Sequence, residues 1–269
     1  MFNYKVFVAE LIGTFTLVFV GAAIALYNDG LLSVALAQGL TLAVLFYAFG
    51  HISGIHVNPA VTFGLALNGT VKWLEAILYW IAQFAGAVLA GFALKAIVAT
   101  VNADAFTAAL STGVVTTGSP YYAFAVEALL TFFLVNTLLH AVVAGKAGSF
   151  GGLAYGFTLS IAILAGGPLT GASLNPARTF GPAAAAGSVQ DPMMYLIYFA
   201  GPLLGAAFAV GLYKVLSAED DVEDELEPVE VVEETVEEEV EAVIVEEPAA
   251  PKRSTRKSAP RKTTRKSQK

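Results

Sequence analysis

The chain has 269 residues, 56% of them hydrophobic and only 14% charged, with a mean hydropathy of +0.67 and no cysteine. Soluble domains carry about 25% charged residues, so a water-soluble enzyme is all but excluded, and disulfide scaffolding and cysteine metal sites go with it. With three histidines, no His-built metal centre is expected, nor any other cofactor. The charge is also uneven. Residues 1–216 hold six acidic and six basic side chains, whereas the last 53 residues hold 16 acids and 9 bases and account for the whole net charge of −7.

A helix needs roughly 20 apolar residues to cross about 30 Å of hydrocarbon. In chain order, six stretches meet or approach that length: Val6–Tyr27, Leu32–Phe49, Trp73–Val101, Tyr121–Ala144, Gly152–Gly166 with its flanks, and Met193–Leu216. The first is too long, and lacks the cleavage pattern, for a signal peptide. Small-residue pairs at Gly86/Ala90, Gly152/Gly156 and Gly201/Gly205 read as close helix contacts. Lys5, Lys72, Lys146 and Lys214 fall on alternate connections, and Asp29, Asp104 and Asp191 on the others. Basic residues favour the cytoplasmic side, so both termini are expected there, in a cell membrane crossed six times. Lys95 lies near the outer end of the third span and is expected to snorkel. Aromatic residues at span ends read as interface anchors.

Two further apolar segments, Pro59–Leu67 and Pro176–Ala186, would each make a helix of only about 15 Å. Neither can cross alone, but two end to end make one crossing. They belong to an internal repeat. Glu10-Leu-Ile-Gly-Thr14 matches Glu127-Ala-Leu-Leu-Thr131. Asn58-Pro59-Ala60 lies 48 residues after Glu10, and Asn175-Pro176-Ala177 lies 48 after Glu127, a constant offset of 117. Each half, about 1–100 and 121–216, has three spans. An odd number inverts the second half relative to the first, with interrupted helices meeting near the midplane.

Asn is a favoured helix N-cap and Pro a favoured first helical residue, so one Asn-Pro-Ala would be an ordinary helix start. Two copies opening half-length helices in inverted halves imply more. Irregular backbone at membrane depth survives only when buried in protein or lining a watery cavity. The loops around Gly54–Val57 and Gly171–Leu174 therefore point to a pore, with Gly54, Ile55, His56, Gly171 and Ser173 along it and backbone carbonyls as acceptors. Each half-helix offers about half a positive charge at its N-terminus, which repels cations. The amide groups of Asn58 and Asn175 can donate to one passing water, turning its hydrogens outward and breaking a proton wire.

These residues resemble the aquaporin, or major intrinsic protein, family, in a bacterial-type form. The resemblance rests on both Asn-Pro-Ala motifs, Glu10 and Glu127, Gly50-His-Ile-Ser-Gly54 and Arg178, and covers residues 1–216. It implies an all-α membrane protein of six transmembrane helices plus two re-entrant half-helices, usually a homotetramer with one pore per subunit. It also implies a constriction at Gln38, Ile163, Ala172 and Arg178, with Arg178 excluding cations. Many strict water channels carry an aromatic residue and His at the first two positions, so this constriction is atypical. Ile163 and Ala172 look like some plant vacuolar members that also pass ammonia, urea or peroxide. Thr179 departs from the Asp of glycerol facilitators, and Ala183, Tyr198 and Phe199 look like the water-channel pattern. The resemblance thus implies passive water conduction, with a broader facilitator of glycerol, urea, ammonia or hydrogen peroxide as the alternative.

Other polar residues divide between pore and packing. Glu10 and Glu127 are costly at mid-span and therefore expected to be functional. A proton relay is one role, and accepting backbone N–H groups from a pore loop is the preferred one. His56 reads equally as vestibule lining or loop filler, whereas His51 and His140 read as polar loop and interface residues. An ion-coupled transporter would share the inverted repeat, but the spans offer no acidic midplane site beyond the two glutamates. Short connections disfavour an adhesion or scaffolding protein. Residues 217–269 change character: 219–247 is acidic and 252–269 basic, with repeated Arg-Lys-Ser and Arg-Lys-Thr units. Dense charge and low complexity predict a disordered cytoplasmic tail. It reads as a solvated polyampholyte, or as a phosphorylation-sensitive tail that binds anionic lipid, nucleic acid or its own acidic block.

Overall fold

A computed structural model describes residues 3–26, 30–98 and 119–217, all within one compact unit, Met1–Leu226. Asp29, Asp104 and residues 218–269 of the charged tail lie outside the described residues; Ser217, expected to open the tail, instead ends the last helix.

Among the described residues, eight helices of ten residues or more follow in chain order: α1 Tyr4–Leu26, α2 Leu31–Ser53, α3 Pro59–Asn68, α4 Trp73–Val98, α5 Pro120–Val143, α6 Gly151–Thr170, α7 Pro176–Ala186 and α8 Pro192–Ser217. Six are long and apolar enough to cross a membrane; α3 and α7 are the two half-length helices. The expected fold class is therefore observed. The sequence placed the ends of α2 and α6 too early. α2 continues through His51 to Ser53, and α6 continues past Gly166 and Pro168 to Thr170. Both end where a glycine, Gly54 (φ 81°) or Gly171 (φ 78°), turns left-handed and closes the last turn.

The long helices reverse the usual pattern of a soluble bundle. Leu36, Leu40 and Val44 on α2 point outward, 41–65% exposed, while Ala35, Gln38, Gly39, Leu42 and Ala43 face inward. In hydrocarbon, leucine gains nothing by leaving the surface, so close packing through small residues holds the helices together. α2 crosses α6 at Gly39 and Gly156, positions separated by the repeat offset of 117. A Cβ on Gly39 would overlap Ser160 Oγ and lie 2.5 Å from the Gly156 carbonyl. One on Gly156 would overlap the Gly39 carbonyl. In the same way, Gly86 lets α4 approach the Leu11 carbonyl of α1, and Gly205 lets α8 approach the Ala128 carbonyl of α5.

The half-helices cross over between the halves. α3, from the first half, packs on α8, the last span of the second; α7 packs on α4, the last span of the first. Gly91 of α4 meets the Gly181 carbonyl of α7 closely enough that a Cβ would lie 2.7 Å from it. Each short helix thus packs more extensively on the other half than on its own, which ties the two halves together. Inside α8 a π turn covers Leu196–Ala200, just before Pro202. Proline supplies no N–H to the carbonyl four residues back, and the widened turn accommodates that break.

Gly156→Leu places a side chain where backbone now sits. It is expected to destabilise the bundle by about 3 kcal/mol or more, read as a fall in the thermal midpoint of the detergent-solubilised protein.

Candidate functional site: two opposed half-helices around a narrow cavity

The site is built twice, from equivalent residues. Asn58 and Asn175 adopt extended backbone (φ −157° and −144°), and each side-chain oxygen caps its own helix. Asn58 Oδ1 accepts from Ala60 N at 2.9 Å. Asn175 Oδ1 accepts from Ala177 N at 3.0 Å and Arg178 N at 3.2 Å. Pro59 and Pro176 occupy the first turn, where a missing N–H costs nothing.

The amide nitrogens then tie the halves together. Asn58 Nδ2 donates to the Leu174 carbonyl at 2.9 Å, and Asn175 Nδ2 donates to the Val57 carbonyl at 2.8 Å. The tips of α3 and α7 are thereby cross-bonded, each to the loop of the other half. An amide nitrogen carries two hydrogens, so each Asn retains one donor after making this bond. The carbonyls of Val57 and Leu174, expected to face the passage, are engaged by the cross-bonds.

The loops before the two Asn residues carry a conformation that side chains resist. Ile55, Val57, Ala172 and Leu174 have φ of 46°, 44°, 44° and 55°. Left-handed backbone costs roughly 1–2 kcal/mol per L-residue, more awkwardly still for β-branched Ile and Val. The compensation comes from the buried glutamates. Alternating hands turn successive N–H groups to one side, forming a nest for an anion. Glu10 Oε1 accepts from His56 N at 2.9 Å and Ser53 Oγ at 2.7 Å. Its Oε2 accepts from Val57 N at 2.7 Å and Gln83 Nε2 at 2.8 Å. Glu127 repeats the arrangement, with Ser173 N at 2.9 Å and Thr170 Oγ1 at 2.6 Å on Oε1, and Leu174 N at 2.7 Å on Oε2. In a trans peptide the carbonyl opposes the N–H, so the Ile55, His56, Ala172 and Ser173 carbonyls turn away from the glutamates.

Several supports escaped sequence reasoning. Ser53 and Thr170, 117 apart, each donate to a glutamate and accept the next loop N–H, Ile55 N or Ala172 N, at 3.1 Å. Tyr79 OH donates to the Ser53 carbonyl at 2.8 Å, and Tyr198 OH to the Thr170 carbonyl at 2.7 Å. Gln83 also donates to Thr62 Oγ1 at 2.9 Å. The signal was present in Ser53 and Thr170, which match across the repeat, and in Gln83, a lone amide in an apolar span. The two tyrosines are 119 apart, and that two-residue slip hid them.

Between the tips lies a cavity of about 10 Å³ bordered by Gln38, His56, Val57, Asn58, Ser173, Asn175 and Arg178 on its polar side. Leu17, Leu42, Leu134, Tyr155 and Leu159 form the rest of its wall. A single water needs about 10–15 Å³ measured this way. His56 borders this cavity: its ring stacks on Tyr79 (centroids 4.5 Å apart), and its Nδ1 lies 3.0 Å from Thr62 Oγ1. Its counterpart Ser173 pairs with Thr179 Oγ1 at 2.5 Å. Of the four expected constriction residues, Gln38 and Arg178 border the cavity; Ile163 and Ala172 are buried in the surrounding apolar cluster. Gln38 Nε2 and Arg178 Nη1 are buried donors without a hydrogen-bond partner among the described residues. No cluster of metal-ligating side chains occurs among the described residues.

Six helices long and apolar enough to span a membrane and two cross-bonded half-helices thus surround a water-sized cavity, the framework of a family whose members are channels. The chain belongs to the major intrinsic protein family, whose profile matches residues 1–213. It is 41% identical over 217 residues to glycerol uptake facilitator protein-like 6 of Lactiplantibacillus plantarum, covering 80% of this chain and 99% of that protein. It is 36% identical over 220 residues to nodulin-26 of Glycine max (79% and 78%), and 39% identical over 226 residues to aquaporin TIP1-2 of Zea mays (79% and 85%). In fold it is similar to the aquaglyceroporin from Plasmodium falciparum, with a TM-score of 0.70 at 24% identity over 81% of this chain and 99% of that one.

Each unmet donor in a buried site costs about 1–3 kcal/mol. Glu10→Ala strands four donors and Glu127→Ala three. Both variants are expected to lose more than half of the correctly folded yield, Glu10→Ala the more, in size-exclusion profiles of the solubilised protein.

Proposed function

We propose that this chain is a passive water channel, driven by osmotic gradients, whose passage runs through the cavity between Asn58 and Asn175. One observation carries the proposal. The cavity is water-sized, and around it stand donors that the protein leaves unmatched: Gln38 Nε2, Arg178 Nη1 and the second hydrogen of each Asn amide. A passing water accepts from both Asn amides at the waist, where two half-helix N-termini add positive potential. Its own hydrogens then point along the passage, toward carbonyls turned away from Glu10 and Glu127. Proton hopping is interrupted there, and Arg178 adds a full charge against cations. In this proposal Glu10 and Glu127 hold the loops and carry no protons.

Conduction of small neutral solutes is the second reading, supported by the apolar Ile163 and Ala172 at the constriction the resemblance implies, although both lie buried behind the cavity rather than on it. Neither offers the donor that a His would place at the constriction. The relatives fall on both sides, with a glycerol uptake facilitator among them. We further infer a cell-membrane location with both termini cytoplasmic, a homotetramer, and a charged cytoplasmic tail, acidic then basic, over residues 217–269.

Proteoliposomes separate the readings in stopped-flow light scattering. The expected result is water efflux well above empty vesicles, with urea and glycerol uptake slower than water. Solute uptake well above empty vesicles without faster water flux would overturn the order. Gln38→Phe with Ile163→His is expected to narrow the solute range while water flux persists. Arg178→Ala is expected to raise cation or proton leak, read with a pH-sensitive dye under an imposed potential.

A further inference from the structure

Gln38 borders the cavity, yet its side chain lies folded against another helix. A Cβ built on Gly21 of α1 would sit 2.9 Å from both Gln38 Cγ and Cδ and 3.2 Å from Nε2. The amide therefore occupies the space that any side chain at position 21 would take. Leu17, one turn earlier on the same face of α1, borders the cavity, as does Leu42, one turn after Gln38 on α2. Gly21 thus faces the passage from behind Gln38, and the α1 backbone closes the retreat on that side. All three contacting atoms belong to the Gln38 side chain, from Cγ to Nε2, and none to backbone, so a substitution at 21 presses on that side chain rather than on the helix. The open direction is the cavity itself, which Gln38 and Arg178 both border.

We propose that Gly21 is a specificity-determining position: by giving the Gln38 amide a pocket against α1, it holds the passage that Gln38 and Arg178 border open for water and small neutral solutes. This rests on the channel reading above. A methyl group at 21 drives the amide into the lumen and narrows it. A single methylene in a tight pocket discriminates by about 10–200-fold, and the effect is larger for urea than for water, because urea is wider.

The test compares the full chain, Gly21→Ala and Gly21→Ala/Gln38→Ala in proteoliposomes, with water and urea permeability normalised to protein content. The expected result is a severalfold loss of water permeability in Gly21→Ala and a roughly tenfold loss of any urea permeability. Both should recover in the double variant, where no amide remains to be displaced. Recovery is the readout that a packing defect on α1 cannot give. Wild-type flux in Gly21→Ala, or a loss that Gln38→Ala fails to relieve, overturns the proposal. A wild-type chain no more permeable than empty vesicles overturns the channel reading beneath it, and the proposal with it.

Discussion

Glu10 and Glu127 stand in spans where an ionised side chain costs several kcal/mol, and each meets a loop that is itself unfavourable. The loops hold four non-glycine residues at positive φ. Neither half of the arrangement is stable by itself. Together they compensate: the left-handed turns aim successive N–H groups at one point, and the carboxylate there accepts them. Ser53 and Thr170 complete both carboxylates, with Tyr79 and Tyr198 fastening the ends of the preceding helices. The two copies are not identical. Glu10 has an additional partner in Gln83, while Glu127 lies in the half that carries Arg178.

With the loops fixed, the rest of the centre follows. The Asn residues at the loop ends are aimed by their own caps, and their amide nitrogens reach the opposite loop. The reciprocal bonds from Asn58 to Leu174 and from Asn175 to Val57 make each half a template for the other. The swapped packing of α3 on α8 and α7 on α4 does the same on the outer side of the half-helices. What remains between the tips is narrow and rich in donors. Carboxylate, cap and cross-bond together set the geometry of this centre.

Much of this was legible in the sequence because the repeat supplied a second copy of the main features, the glutamate and the Asn-Pro-Ala. A lone Asn-Pro-Ala is a helix start; a second, 117 residues on and at the same distance from a buried glutamate, is a site. Hydropathy gave all six spans, since composition alone decides them. It could not give their ends at Ser53 and Thr170, because those are set by left-handed glycines and by a serine and a threonine that serve the loops. The role of Gln38 was legible only in part. Its place beside Arg178 followed from alignment with Asn58, but its posture against Gly21 depends on how closely α1 and α2 approach, which no pattern in either helix encodes. Ile163 and Ala172, aligned to the same constriction, are buried in the apolar cluster and do not border the cavity.

The central claim is that the two tips meet and leave room for a file of single waters. A high-resolution experimental map of the protein in lipid tests it most directly. The account predicts Asn58 and Asn175 cross-bonded to the opposite loops, with ordered water density running unbroken between them from one vestibule to the other. Tips standing apart, or side chains filling the space between them with no water, would contradict it.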